Sequence, residues 1–173
     1  VGPASTMEFA LTDEQEMIRE LVREGAEATL SPTIEHRDQQ QIPPTEEWKE
    51  FIELGLHTCT IPEEYGGQPL SDISEAIIVE ELSRVDPSFG VMFCVHVGLC
   101  SMTITLHGND EQKAKYLPRL ATDAIGAYSL SEAASGTDAA AMECKAELSE
   151  DGSHYILNGE KMWVTNGAQA DIF

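Results

Sequence analysis

The sequence predicts an α+β protein in which a helical part comes first and β-strands follow. Apolar residues recur with helical spacing through the first two thirds of the chain, and alternation of apolar and polar residues replaces it after Gly126. Of the 173 residues, 42% are hydrophobic, which is enough for a packed core and too much for a disordered tail. The length indicates about one domain, or one domain and part of a second.

The first helix is predicted to begin at a capping box, Thr12-Asp13-Glu14-Gln15, in which the Thr12 hydroxyl accepts a backbone N–H and Gln15 reaches back. Ser31-Pro32 ends it, and five residues form its expected buried face: Met17, Ile18, Leu21, Val22 and Gly25. A second helix follows Pro43-Pro44 with Thr45 as its cap, and its expected buried side holds Trp48, Phe51, Ile52 and Leu54. A third helix ends near Asp86-Pro87.

Residues 88–109 form a stretch of about 20 residues without a formal charge, which is long enough to span a membrane. Small polar side chains and two glycines interrupt it, and this composition favours the central helix of a bundle. We therefore expect no membrane span. A short helix capped by Asn109 then ends at Leu117-Pro118.

After Gly126 the alternation predicts strands at 127–131 and 144–148. Asn158-Gly159 is a strong hairpin signal, and it predicts a type I′ turn between strands at 155–157 and 162–165. Asn166-Gly167 predicts another turn, and 170–173 begins one more strand. A few strands with an unpaired edge are marginal alone, so we expect the chain to be the front part of something larger.

The charge excludes some classes of partner. Lys and Arg number 10 against 31 Asp and Glu, giving a formal net charge of −21. Nucleic acids and anionic membrane surfaces both require cationic side chains, so neither is an expected partner. The excess negative charge favours solubility. Because salt screens the repulsion between like charges, adaptation to high salt is a hypothesis for this acidity.

The cysteines and histidines do not point to a metal or to a nucleophile. The four cysteines form no CxxC pair, and the five histidines have no metal or triad spacing. We therefore expect reduced thiols, no metal site and no catalytic residue in this chain. Residues 1–6, which precede Met7, are interpreted as a remnant of expression and left out of the fold.

The most informative stretch runs from Tyr128 to Asp138, where a strand leads into a loop of small residues with hydroxyls at Ser131, Ser135 and Thr137. Small side chains let a flat ligand approach the backbone, whose N–H groups can donate to it. No GxGxxG or P-loop pattern is present. By composition alone, the stretch favours an ordinary glycine-containing surface loop over a ligand site.

This stretch resembles the first signature of the acyl-CoA dehydrogenase family. Four further stretches resemble sequence blocks of this family and occur in the family's order. They are Pro62-Glu-Glu-Tyr-Gly-Gly67, Glu80-Glu-Leu-Ser83, Gly108-Asn-Asp-Glu-Gln-Lys113 and Leu157-Asn-Gly-Glu-Lys-Met-Trp-Val-Thr-Asn-Gly167. The resemblance implies an N-terminal all-α helical bundle domain over 7–125. The opening antiparallel strands of a truncated β-barrel or β-sandwich domain follow over 126–173.

The resemblance also implies FAD as the cofactor, held by the loop and by the segment that carries Trp163. Ser131 would bond the polar edge of the flavin and Trp163 would lie against the ring, and the full set implied is Tyr128, Leu130, Ser131, Gly136, Thr137, Trp163, Val164 and Thr165. Family members usually have a proline after the Glu, where this chain has Ala133-Ala134, and this difference should loosen the loop. Glu132 and Asp138 are expected to organise the loop by accepting backbone N–H bonds.

For the acyl-CoA substrate, the resemblance implies contacts from Thr137, Leu99, Val95 and Met92, although core packing explains the last three equally well. The parent reaction would be α,β-dehydrogenation of a fatty acyl-CoA thioester to the 2,3-enoyl-CoA, closest to the short- and medium-chain branch. It needs a carboxylate base opposite the flavin. In the family that base is a Glu of the C-terminal helical domain, so the 173 residues alone are expected to be inactive.

Two alternatives stay open: a non-catalytic fragment that binds a partner through its unfinished sheet edge, and a flavin oxidase or monooxygenase relative of the same superfamily. The resemblance further implies an electron-transfer flavoprotein as acceptor and a homotetrameric parent. The expected location is the prokaryotic cytoplasm, with the mitochondrial matrix as the alternative.

Overall fold

A computed structural model describes residues 9–173, so the predicted expression remnant at 1–6 lies outside the described residues. The chain forms two compact units. Of the described residues, the first unit contains 9–54 together with Leu70–Val91, and the second contains Gly55–Pro69 and Met92–Phe173. The predicted fold class is confirmed, because helices occupy the first part of the chain and two antiparallel strands follow.

The first unit consists of helices α1 (Asp13–Thr29), α2 (Ile34–Gln40), α3 (Thr45–Phe51), α4 (Asp72–Val85) and the start of α5 (Pro87–Cys94). The predicted capping box of α1 is confirmed: the Gln15 amide donates to the Thr12 hydroxyl at 3.2 Å, and the Gln15 side chain accepts from the Thr12 amide at 3.0 Å. The α1 helix packs against α3 and α4.

The buried face of α1 is narrower than predicted. Ile18, Val22 and Ala26 are buried, whereas Met17 and Leu21 are 64% and 45% exposed. These two side chains therefore lie outside the buried stripe of α1.

The sequence analysis missed one of the next helices and placed the cap of another wrongly. No short helix was predicted at α2, because seven mostly polar residues carry no apolar period. Thr45 is the first residue of α3 and not its cap, since the cap position is Pro44 and no side chain bonds there. The predicted core residues Trp48 and Phe51 are fully buried, and each ring contacts Phe89, with centroids 6.0 and 5.3 Å apart.

A buried ion-pair cluster lies beneath α2 in this unit. Arg37, which is 5% exposed, contacts Glu47 through Nε at 2.9 Å and Asp86 through Nη2 at 2.6 Å. Asp86 also accepts from the backbone amides of Ser88 and Phe89 at the start of α5. Burial alone would raise the pKa of Asp86, but the hydrogen bonds from Ser88, Arg37 and Phe89 outweigh it and lower that pKa.

The second unit continues the uncharged helix. Its π-helical segment Val95–Ser101 follows α5, and α6 (Met102–His107) completes it. Among the described residues, Pro87–His107 is the one helix long and apolar enough to cross a membrane by length and composition, and half of its most apolar window is buried inside the structure. Burial of this kind is what the core helix of a bundle requires.

Helix α7 (Asp110–Leu120) begins after Asn109, so the predicted cap is confirmed, and the structure shows that Asn109 and Gln112 form a capping box. It does not end at Leu117-Pro118 but continues through Pro118, because a proline in the last turn removes only one backbone hydrogen bond. Its buried residues join a core cluster with the π-helical segment and the end of the chain, consisting of Ile61, Cys100, Leu117, Leu120, Ala124 and Ile172.

The strands β1 (Lys145–Leu148) and β2 (Tyr155–Asn158) form an antiparallel pair in which Lys145 lies opposite Asn158 and Leu148 opposite Tyr155. The predicted Asn158-Gly159 hairpin was therefore wrong. Strand β2 pairs with the strand before it, through a turn in which Gly152 has φ 70°, and residues 162–165 form no strand. Residues 127–131 likewise form no strand, and in 170–173 only Ile172 pairs, in a parallel bridge with Gly126.

Removing the buried cation of the first unit should destabilise the chain strongly. Arg37→Met leaves Glu47 and Asp86 buried without their partner, and we expect a loss of about 3–5 kcal/mol in the free energy of unfolding. The matched control Arg19→Met removes a half-exposed arginine paired with Glu16 on α1, and its loss should stay below about 1 kcal/mol. Urea unfolding measures both, and equal losses would contradict the buried network.

Candidate functional site

The two segments that the sequence analysis singled out lie side by side in the second unit. The Met162 amide donates to the Ser131 carbonyl at 2.7 Å, and Lys161 Nζ donates to the Leu130 carbonyl at 3.0 Å. The hydroxyl-bearing loop and the segment carrying Trp163 are therefore in direct backbone contact, although about 30 residues separate them in the chain.

Glu132 holds this contact together. The residue is 9% exposed, and its carboxylate accepts from Lys161 Nζ at 2.7 Å and from the Glu143 and Cys144 amides at 2.6 and 3.2 Å. The Lys161 hydrogen bond, followed by that of the Glu143 amide, lowers the pKa of Glu132. The prediction that Glu132 accepts backbone N–H bonds is confirmed, and its carboxylate is an ionised structural group.

The bend after Glu132 is closed without a proline. The amides of Glu132 and Ser135 donate to each other's carbonyls at 2.9 and 3.1 Å, which encloses Ala133 and Ala134. The Ser135 hydroxyl donates to the Asp138 carbonyl at 2.9 Å, and the Asp138 carboxylate accepts from the Ala140 amide at 3.2 Å. The predicted role of Asp138 as a backbone acceptor is confirmed.

The side chains predicted to contact the cofactor are exposed or half-buried. Trp163 is 85% exposed and has φ 58°, and Leu130 is 40% exposed. Gly136 and Thr137 are exposed, whereas Tyr128, Ser131, Val164 and Thr165 are half-buried. The hydroxyls of Ser131, Thr137 and Thr165 make no hydrogen bond to any residue that the structure describes, so these donors remain available to a ligand.

Lys161 and Asn166 are residues of this site that sequence analysis did not identify. Lys161 joins both segments, and the Asn166 side chain donates to the Met92 carbonyl at 3.0 Å and the Gly126 carbonyl at 2.9 Å. The Asn166-Gly167 signal did predict a turn, which is confirmed by φ 65° at Asn166. The partners of both side chains lie far away in the chain, and no local pattern reveals them.

The residues predicted to contact substrate differ in exposure. Met92 and Val95 are buried, at 3% and 8% exposure, and Leu99 is 40% exposed. A cavity of about 500 Å³ lies elsewhere in this unit, among Thr103, Ile104, His107, Gln112, Tyr116 and Asp171, and none of the predicted site residues lines it.

Two buried histidines lie behind the site. His96 has no exposed surface, and its Nδ1 accepts from the Gly126 amide at 3.1 Å. His57 lies with its ring centroid 6.0 Å away, and its Nε2 lies 3.3 Å from the Ala121 carbonyl, to which it donates. Burial and then the neighbouring His57 lower the pKa of His96 to about 3, and burial lowers that of His57.

The histidines do not form a metal site. In the part of the chain that the structure describes, no group of three or more His, Cys, Asp or Glu side chains is placed to hold a metal ion. Beside the exposed Trp163 ring, the site offers hydroxyl and backbone hydrogen-bond donors.

Two family models match the chain. "Acyl-CoA dehydrogenase, N-terminal domain" covers residues 12–124, and "Acyl-CoA dehydrogenase, middle domain" covers residues 127–173. Among curated proteins, the chain is 42% identical over 168 residues to the short-chain specific acyl-CoA dehydrogenase of Clostridium acetobutylicum, covering 96% of this chain and 44% of that protein. The chain therefore spans less than half the length of this relative.

Solved structures agree with this result. An acyl-CoA dehydrogenase complexed with FAD from Bacillus anthracis has a TM-score of 0.88 and 40% identity, covering 96% of this chain and 29% of that one. A chain from a study of the electron transferring flavoprotein of Acidaminococcus fermentans has a TM-score of 0.89 and 42% identity, with coverages of 95% and 43%.

Replacing the Glu132 carboxylate should open the contact between the two segments. In Glu132→Gln the side chain loses its charge and presents N–H groups toward backbone donors, so we expect faster amide hydrogen exchange at Glu143, Cys144 and Met162. Glu160→Gln makes the same change at a neighbouring exposed carboxylate and should leave the exchange rates unchanged. Equal rates in the two variants would contradict the role of Glu132.

The histidine pair should make the chain less stable in mild acid. The folded pKa values lie below the ordinary value of 6.5, so the unfolded chain binds more protons, and stability present above pH 6.5 is lost as the pH falls. His96→Gln should reduce the pH dependence of the unfolding free energy between pH 6.5 and 5 by up to about 1.4 kcal/mol per pH unit. The exposed control His154→Gln should retain the wild-type dependence, and an unchanged slope in His96→Gln would contradict the assignment.

Proposed function

Since the chain belongs to the acyl-CoA dehydrogenase family, we propose that it supplies the first part of an FAD-dependent enzyme that converts a fatty acyl-CoA to the 2,3-enoyl-CoA. The observation that carries this proposal is the 2.7 Å hydrogen bond from Met162 to Ser131, which joins the hydroxyl-bearing loop to the segment carrying Trp163. We assign the helical domain to 7–125 and the start of the middle domain to 126–173.

The residues present fit a flavin. A planar ring with a polar edge needs an open aromatic or apolar face beside hydrogen-bond donors, and this site offers an 85% exposed Trp163 and hydroxyls that no described residue uses. A Cβ added at Gly136 would meet no atom within 4 Å, so the loop is also open at that point. When bound, the flavin supplies the hydride acceptor.

In this proposal the hydroxyl-bearing loop and the segment carrying Trp163 contact opposite sides of the flavin. Ser131 donates to the polar edge of the ring, and Tyr128 and Leu130 lie along it. Trp163, Val164 and Thr165 cover the other side and exclude water, and Gly136 and Thr137 leave room for the cofactor and the thioester ligand. Thr137, Leu99, Val95 and Met92 are the proposed substrate contacts.

No residue of this chain is assigned as the proton-abstracting base. Glu132 already accepts from Lys161 and two backbone amides, so its carboxylate is committed to the loop. We propose that the base is a Glu beyond residue 173, and that the 173 residues alone are inactive. The similarity to the acyl-CoA dehydrogenase of Clostridium acetobutylicum, of which this chain spans 44%, supports a longer whole protein.

We further propose an electron-transfer flavoprotein as the acceptor, a homotetrameric whole protein without nucleic-acid or membrane partners, and a cytoplasmic location. The similarity to a chain from a study of an electron transferring flavoprotein supports the acceptor, and a bacterial relative supports the location. A flavin oxidase or monooxygenase of the same superfamily is the alternative enzyme.

A partner-binding fragment is the second candidate function, and the hairpin favours it. Every residue of β1 and β2 is exposed, including Leu148, Tyr155 and Leu157, so both edges and both faces of the pair are accessible. Sedimentation of the 173-residue chain distinguishes the two: a monomer that captures no partner counts against this candidate.

The enzyme proposal is tested on the purified whole protein. We expect FAD to remain bound through gel filtration, and anaerobic butyryl-CoA to bleach the visible flavin band. Ser131→Ala should weaken FAD binding about fivefold, the loss of one hydrogen bond, whereas the exposed control Ser153→Ala should bind normally. A wild-type protein without flavin, or equal affinity in both variants, would contradict the proposal, and dye reduction by the 173-residue chain would contradict its inactivity.

A further inference from the structure

Asn166 ends the Trp163 segment, which we define as residues 162–166. The residue is 8% exposed and has φ 65°, a conformation that asparagine tolerates better than most residues. Its side-chain amide uses both hydrogens, one for the Met92 carbonyl at 3.0 Å and one for the Gly126 carbonyl at 2.9 Å. Because both acceptors are backbone groups, this anchor is independent of neighbouring side-chain rotamers.

The Gly126 peptide is held on its other side by His96, whose Nδ1 accepts the Gly126 N–H at 3.1 Å. A Cβ at position 126 would lie 2.6 Å from the Cβ of Cys100, so this close approach requires glycine. The Asn166 anchor is thus connected through one peptide to the buried helix that carries His96.

The hydrogen bond to Nδ1 defines the state of His96. An imidazole nitrogen accepts only when it carries no proton, so the ring is neutral and its proton is on Nε2. Complete burial keeps the His96 ring neutral near neutral pH, in agreement with its pKa of about 3. The acceptor is therefore present under ordinary conditions.

The other end of the Trp163 segment is anchored by the bond from Met162 to Ser131 at 2.7 Å. Between these anchors, the Trp163 ring is 85% exposed, and its own packing does not hold it. The position of the ring therefore depends on the backbone anchors at residues 162 and 166.

We propose that Asn166 is a positioning residue, which holds the Trp163 segment through the Met92 and Gly126 carbonyls, with His96 fixing Gly126, where the segment covers the flavin. This inference rests on the proposed function. It adds a role for Asn166 and His96, neither of which was among the predicted cofactor contacts.

Two variants at position 166 test the anchor. Asn166→Gly retains the positive φ and deletes the donors, and Asn166→Asp retains the size and turns a carboxylate toward two carbonyls. In the 173-residue chain, both should accelerate amide exchange at Met162 and Gly126 at least tenfold. In the whole protein, both should weaken FAD binding about tenfold and change the visible circular dichroism of the flavin. The control Asn158→Asp, in exposed β2, should change none of these.

A second pair tests the link through His96. His96→Gln offers a carbonyl oxygen to the Gly126 amide and should retain slow exchange there, whereas His96→Leu offers no acceptor and should lose it. Wild-type exchange and a wild-type flavin spectrum in both Asn166 variants would overturn the inference. A wild-type whole protein that binds no FAD would overturn the proposed function. The amide exchange rates of the Asn166 variants in the 173-residue chain would still test whether Asn166 anchors the segment.

Discussion

The candidate site depends on one buried carboxylate. Glu132 accepts from the Lys161 ammonium and from the backbone amides of Glu143 and Cys144, so three donors from two other stretches of chain converge on one carboxylate. Charge-assisted hydrogen bonds of this kind are shorter and stronger than neutral ones, and a buried carboxylate without them would be costly. An ionised Glu132 paired with Lys161 therefore reinforces the contact that the Met162–Ser131 hydrogen bond makes between the loop and the Trp163 segment.

The other buried carboxylates are likewise paired with cationic side chains. The chain has 31 Asp and Glu against 10 Lys and Arg, yet the buried carboxylates among residues 9–173 each contact a cation. These pairs are Glu47 and Asp86 with Arg37, Glu81 with Arg23 and Arg84, and Glu132 with Lys161. The few Arg and Lys side chains thus include those that offset the cost of removing a carboxylate from water. The excess negative charge remains near solvent, where water and salt screen it.

Local signals performed well where the partner lies within a few residues. The capping box at Thr12, the cap at Asn109, the end of α4 near Asp86 and the Asn166 turn were all predicted, because each depends on hydrogen bonds within one turn of chain. The Asn158-Gly159 hairpin failed for the opposite reason. Its signal describes a turn, whereas the pairing of β2 depends on which segment competes for its edge, and Lys145–Leu148 takes that place.

The candidate site shows the same division. Residue types showed a loop at 128–138 with hydroxyls and small side chains. The resemblance to the acyl-CoA dehydrogenase family then predicted that this loop and the segment around Trp163 form one site, in which Glu132 and Asp138 accept backbone N–H bonds. The roles of Lys161, Asn166 and His96 became apparent only in the folded structure. Their hydrogen-bond partners Glu132 and Gly126 lie 29 to 40 residues away along the chain, and folding of the backbone brings them together. A single sequence records which groups can bond, and the packed chain selects which of them meet.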